Sequence, residues 1–148
     1  MFNGESASTE LSPNTFQYRY GDCILALVIG QEWNLLFASN PKIHAFAVAK
    51  EGAVVWQTDN WNLVDEIEGI LKAADKDASK LTTGGVTYRR VFSSNDAYIA
   101  TANDAKGHLI LVLIDEDSWA IAFAAPSAVP ELALIDIKKT AIQLRGHI

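Results

Sequence analysis

The stretch Ala47-Val48-Ala49-Lys50-Glu51-Gly52-Ala53-Val54-Val55-Trp56-Gln57-Thr58 decides how the rest of the chain is read. Apolar runs flank the polar pair Glu51-Gly52, so Ile43 to Ala49 and Val54 to Thr58 read as antiparallel strands joined by a tight turn. Beyond them lies Glu66-Ile67-Glu68-Gly69-Ile70-Leu71-Lys72. Here Leu63, Ile67, Ile70, Leu71 and Ala74 make one apolar stripe, which predicts a helix over 62–75. Asn62, Asp65 and Glu66 at its start suit the positive end of the helix dipole. Gly69 in its middle costs about 1 kcal/mol against Ala, which predicts that something packs closely there. The charged run Lys72 to Lys80 reads as an exit to solvent, and Gly84-Gly85 as the lead-in to a strand beginning at Val86. No residue of this region carries chemistry alone; the ordered hairpin, helix and Gly-Gly step point to a protein-binding module.

Upstream, Asp22 can cap a helix over 23–38 in which Leu25, Ile29, Trp33, Leu36 and Phe37 recur at helical spacing. The β-branched run near its start leaves a strand open, and Asn40-Pro41 ends the element either way. Downstream, Val86 to Phe92, Tyr98 to Ala102, Leu109 to Ile114 and Trp119 to Ala124 read as four strands separated by polar turns. The unbroken apolar run Leu109–Ile114 predicts a central strand covered on both sides. A last helix takes Ser127 as N-cap, Pro130 in its first turn and Leu134, Ile137, Ala141 and Leu144 as its stripe, closing at Gly146. The fold class is therefore α+β: an antiparallel meander with N- and C-terminal helices packed on it.

At 148 residues, 49% of them apolar, the chain suits one domain over 22–148, preceded by a flexible Ser/Thr/Asn/Pro-containing extension over 1–21. A formal charge of −6 argues against nucleic acid, whose phosphates demand a basic surface. The apolar run Cys23–Ile29 is too short for a membrane span, and Met1 to Gln17 has no basic residue to begin a signal peptide. Cys23 has no partner for a disulfide, His44 and His108 lack ligands at metal spacing, and no phosphate loop or nucleophile elbow appears. No catalytic residue, metal or cofactor is expected, and the cytoplasm is the expected location.

Five pieces in order resemble the profilin family. They are Trp33-Asn34, the hairpin Gly52–Thr58 with its Trp, the helix Glu66–Lys72, Leu81-Thr82-Thr83-Gly84-Gly85-Val86-Thr87-Tyr88, and the final helix Pro130–Arg145. The resemblance spans roughly residues 32–146, and the chain looks like a divergent profilin, similar to those of archaea that carry eukaryote-like actins. It implies a monomer that binds monomeric actin through its later strands and C-terminal helix and so regulates actin polymerisation. Carried over by position, it assigns Arg89, Arg90, Lys106, His108, Val129, Glu131, Leu134, Lys138 and Lys139 to the actin-facing surface. Because Arg89 and Arg90 are consecutive on a strand, at most one of them should reach the partner.

The same resemblance implies a site for proline-rich peptides, and phosphoinositides as further ligands. Its candidates are Trp33, Trp56, Trp61, Gln143 and Leu144. The chain departs from the pattern here: Leu36 and Gln143 stand where aromatic or His side chains are usual, and Val55 occupies the usual Trp position. Trp56 comes one residue later, which turns it to the wrong side of the sheet unless a bulge restores it. The alternative reading is a roadblock-type domain, a homodimeric scaffold regulating a small GTPase, which shares the helix, hairpin, helix, meander and final helix.

Overall fold

A computed structural model describes residues 20–148. The expected extension lies outside the described residues, apart from Tyr20 and Gly21, which open the first helix. That helix, α1 (Tyr20–Ser39), settles the open choice for the first apolar run: it is helical. It leads to a hairpin of β1 (Ile43–Lys50) and β2 (Ala53–Gln57), then α2 (Ile67–Asp75). Five strands follow, β3 (Lys80–Thr83), β4 (Val86–Ser93), β5 (Ala97–Ala102), β6 (His108–Asp115) and β7 (Ser118–Ala124), and α3 (Pro130–Leu144) closes the chain. The sheet is antiparallel in the order β2-β1-β7-β6-β5-β4-β3.

One strand more forms than the sequence reading gives. Lys80, expected to end a run exiting to solvent, instead begins a strand, Lys80–Thr83, that pairs with Val86–Arg89, and Gly84-Gly85 is the turn between them. Both glycines have positive φ, 59° and 76°, the backbone that a two-residue hairpin turn of matching twist requires. A second difference lies at α2, which starts at Ile67 rather than at 62. Asn62 caps a separate turn, its Oδ1 accepting from the Val64 N–H at 3.2 Å. Glu66 occupies the N-cap position without a capping bond, because its carboxylate is spent on Thr83 Oγ1 and the Gly84 N–H. Gly69 is also unlike expectation: nothing lies within 4 Å of where its Cβ would be. At α3 the N-cap is Val129 rather than Ser127; Pro130 holds the first helical position, where no N–H is needed.

The sheet separates two cores. On one side, α1 and α3 bury Ile29, Leu36, Ile137 and Leu144 against Ile43, Phe46, Ile99, Ile110 and Val112. On the other, Leu63 and α2 bury Ile67 and Ile70 against Ala47, Tyr88, Tyr98, Leu109 and Leu111. Alternate residues of β6 thus enter opposite cores, as its unbroken apolar run demands. Each fully buried Ile or Leu contributes roughly 1.5–3 kcal/mol. Tyr98 adds a polar tie, donating its hydroxyl to the Ala78 carbonyl at 2.6 Å. Burial raises the Tyr88 and Tyr98 phenols above their usual 10.0; for Tyr98, nearby Arg90 opposes that rise and Asp77 adds to it.

Candidate functional site

The α1/α3 helices leave part of their own side of the sheet open. On β4, Tyr88 points into the α2-side core, so its neighbours Thr87 and Arg89 point to the helix side, and Arg90 returns to the α2 side. Arg90 is held there by donating from Nη1 to the Asp77 carbonyl. The two arginines therefore diverge as their adjacency requires. Cross-strand register puts Lys80, Arg89, Thr101 and His108 in one row, with Ala124 of β7 at its end. Thr101 Oγ1 and His108 Nδ1 share a hydrogen bond of 2.9 Å, and His108 Nε2 is enclosed without a partner among the described residues. Nothing in the local sequence marks Lys80 as part of this row; only strand pairing brings it opposite Arg89.

A register shift between Arg90 and Phe92 continues the row's surface. Phe92 pairs with Ile99 and comes to the helix side, 44% exposed, while Val91 bulges outward. Neither appeared among the sequence candidates, because alternation without a bulge would have sent Phe92 inward. Between β5 and β6 a 3-10 turn, Asn103–Ala105, presents the exposed Lys106; Asp104 and Ala105 both adopt positive φ. Gly107 must be glycine. At φ +123° its Cβ would lie 2.5 Å from the Phe123 ring and 2.8 Å from the Ala124 carbonyl oxygen.

From the His108 end of this row α3 runs in the same direction as β6: Pro130 follows closely on Ala124, the partner of His108, and at the far end Arg145 Nε donates to the Ile114 carbonyl. Two contacts fix its rotation. Lys138 Nζ stands 4.0 Å from Asp96 in the β4–β5 turn, and Asp136 accepts from Asn40 Nδ2 at 3.1 Å at the end of α1. Glu131 and Leu134, seven and four residues before Lys138, share its flank toward β4, as do exposed Ile135 and Ile142. Val129 begins the helix beside the His108 end, 51% exposed. Lys139 is turned about 100° from Lys138, onto the flank of Asp136 and Gln143 that faces α1. Arg89, Lys106, His108, Val129, Glu131, Leu134 and Lys138 thus border one surface; Arg90 and Lys139 do not join it.

The tryptophans divide between the two sides of the sheet. Between Val48 and Ala49 the β1–β2 register slips by one, so Val54 enters the α2-side core while Val55 and Trp56 both pack on the α1 side. That bulge restores Trp56 to the side of Trp33. Phe46 lies between them, stacked on Trp33 with ring centroids 5.9 Å apart and tilted against Trp56 at 6.3 Å. Phe37, overlooked as a site residue, extends the group to the surface at 5.5 Å from Trp33. Trp61 stands apart, packed on the α2-side core. Leu144 is fully buried and serves the core, a correction to its place among surface candidates; Gln143 is exposed.

A seven-stranded antiparallel sheet with both terminal helices on one side, flanked by an open cationic and apolar strip, defines a small protein-binding module. No family model matches the chain. Thor profilin of a Thorarchaeota archaeon (strain AB_25) is 32% identical over 114 residues, covering 75% of this chain and 89% of that protein. Odin profilin of Odinarchaeota yellowstonii (strain LCB_4) is 31% identical over 103 residues, covering 69% and 85%. Among solved structures, Loki profilin-2 in complex with rabbit actin superposes with a TM-score of 0.76 at 26% identity, covering 81% of this chain and 97% of that one. The chain belongs to the profilin family. The roadblock alternative is not favoured.

Proposed function

We propose that this protein binds monomeric actin and thereby regulates actin polymerisation. The observation that carries the reading is the strip where β3–β6 and α3 meet, with Lys80, Arg89, Lys106, His108 and Lys138 framing exposed Phe92, Val129, Ile135 and Ile142. An apolar centre rimmed by charge is the anatomy of a protein interface, and the cations steer the partner's approach. Similarity to Loki profilin-2, which was solved with rabbit actin, supplies the identity of the partner. The role is one of binding, without catalysis, and we assign it to the cytoplasm; among the described residues no helix is long and apolar enough to cross a membrane. Pyrene-labelled rabbit actin provides the test. Spontaneous nucleation should slow and a one-to-one complex should elute on gel filtration; unaltered polymerisation together with no complex refutes the proposal.

A second reading has its own support. The β2 bulge groups Trp56 with Trp33, Phe46 and exposed Phe37 beside the flank of α3 that carries Gln143. Rings so placed suit a stiff proline-rich segment, which docks between aromatic side chains at low entropic cost. Titrating a polyproline peptide should shift the Trp33 and Trp56 indole resonances and leave Trp61 unmoved. Equal shifts at Trp61 would refute this placement.

A further inference from the structure

A groove of about 380 Å³ opens on the α2 side of the sheet, across from both surfaces described above. Half-buried Trp61 and Phe123 and buried Tyr88 give it aromatic walls, and exposed His44 stands at its rim. Asn60, Asn62 and Glu66 supply the polar lining, and no Lys or Arg lines it. Hydrogen bonds within the chain hold the arrangement. Asn60 Nδ2 donates to the His44 carbonyl at 2.9 Å, the Trp61 N–H to the Thr58 carbonyl at 3.1 Å, and the Leu63 N–H to Gln57 Oε1 at 2.9 Å. Glu66 is fixed by Thr83 Oγ1 and the Gly84 N–H, both of which bond Oε1. Among the described residues its other oxygen takes no hydrogen bond.

Ring faces carry negative quadrupole density and attract cations, most strongly at Trp. A carboxylate beside them, with no Lys or Arg to offset it, rejects anions and adds to the attraction. Among organic cations the guanidinium fits best: it is flat enough to stack on a ring and donates in its own plane to carboxylate and amide oxygens. A quaternary ammonium has no donor for Glu66 or the Asn carbonyls, and a primary ammonium is more strongly hydrated. The groove is partly open to solvent, so it suits a side chain presented by an extended peptide rather than a small molecule sealed from water. We propose that this groove docks an arginine side chain of a basic, extended segment of a partner protein, at a third surface independent of the two above.

The test uses the full chain, labelled with ¹⁵N, and the peptide acetyl-Gly-Arg-Gly-Arg-Gly-amide with its lysine and citrulline counterparts. The Trp61 indole, the Gly84 amide and the Asn60 and Asn62 side-chain amides should shift saturably with the arginine peptide. Lysine should weaken binding about tenfold, and citrulline, which keeps the shape and loses the charge, should abolish it. Glu66→Gln should weaken binding about tenfold, whereas Glu68→Gln, an equal charge change on the exposed surface of α2, should leave it unchanged. Trp61→Leu retains an apolar side chain against the core and removes the ring, so it should weaken binding even where Glu66→Gln disturbs the β3–β4 turn. No saturable shift, equal binding of the citrulline peptide, or equal losses from Glu66→Gln and Glu68→Gln would each overturn the proposal.

Discussion

Replacing Gly69 by Ala should stabilise the protein, and the structure sets the size of the gain. Gly69 lies within α2 at an exposed position, and an added Cβ meets no atom within 4 Å. Its φ is not among the positive values, so the methyl group brings no backbone strain. Gly69 is the third residue of α2, in its first turn, so what remains is the chain-entropy gain of replacing glycine where the backbone already suits alanine, about 0.4–1 kcal/mol. α2 has only nine residues and is too short to persist alone, so the gain registers through its docking by Ile67, Ile70 and Ala74 onto the sheet. For a domain of this size it should raise Tm by about 1–4 °C. In urea the midpoint should rise by about 0.2–0.5 M at unchanged slope. Circular dichroism at 222 nm during thermal and urea unfolding checks both values. A Tm that is unchanged or lower would refute the reasoning, because it would mean that the position is crowded or that α2 opens without the rest of the domain.

The opposite sign is expected at Gly107, where Ala forces a Cβ onto Phe123 and the Ala124 carbonyl; loss of more than about 2 kcal/mol in urea unfolding is the check. Deleting Val55 removes the bulge and places Trp56 directly after Val54, still opposite Val48 on the α1 side, so the near-ultraviolet dichroism of the Trp33, Phe46 and Trp56 group should persist; its loss would refute this reading of the register. Arg89→Glu and Lys138→Ala should each weaken an actin complex in sedimentation, Arg89→Glu by about tenfold or more, with Tm little changed. Arg90→Glu should instead lower Tm through loss of its tie to Asp77, and Lys139→Ala should affect neither measurement. The Tyr88 and Tyr98 phenols are raised in the fold, so the unfolded chain loses those protons first as pH climbs. Their contribution to stability is complete below pH 10 and disappears as pH rises through their folded values; absorbance at 295 nm should show these two tyrosines ionising late.

Elements defined by long periodic runs were legible in the sequence. The hairpin at Glu51-Gly52, the two-sided strand Leu109–Ile114 and the stripe of α3 all follow from local pattern. What escaped depended on partners far along the chain. Lys80–Thr83 is too short and polar to announce itself, and it becomes a strand only because Val86–Arg89 lies across a glycine turn. Glu66 looked like a helix-capping acid, but its carboxylate bonds the loop opposite. At the candidate surface, strand alternation correctly separated Arg89 from Arg90, and helical geometry would have separated Lys138 from Lys139. Phe92 and Trp56 were ambiguous for one shared reason: each follows a one-residue slip in register, and period-two reading fails wherever such a slip occurs.

The strand order has a consequence for how the chain reaches its native state. From β3 to β7 every pairing is with the next strand in sequence, but β1 must find β7, with Ile43 opposite Ala124 and Lys50 opposite Ser118. Closing so long a loop carries an entropic cost that grows by about 0.6 kcal/mol with each doubling of length. The local meander can therefore assemble first, and the β1–β2 hairpin with α1 joins it in one late docking step along a single seam. Amide exchange should find β5 to β7 protected earliest during refolding and β1 protected last. Substitutions at Ala47 or Val48 on β1 should then accelerate unfolding while leaving the formation of the meander unchanged.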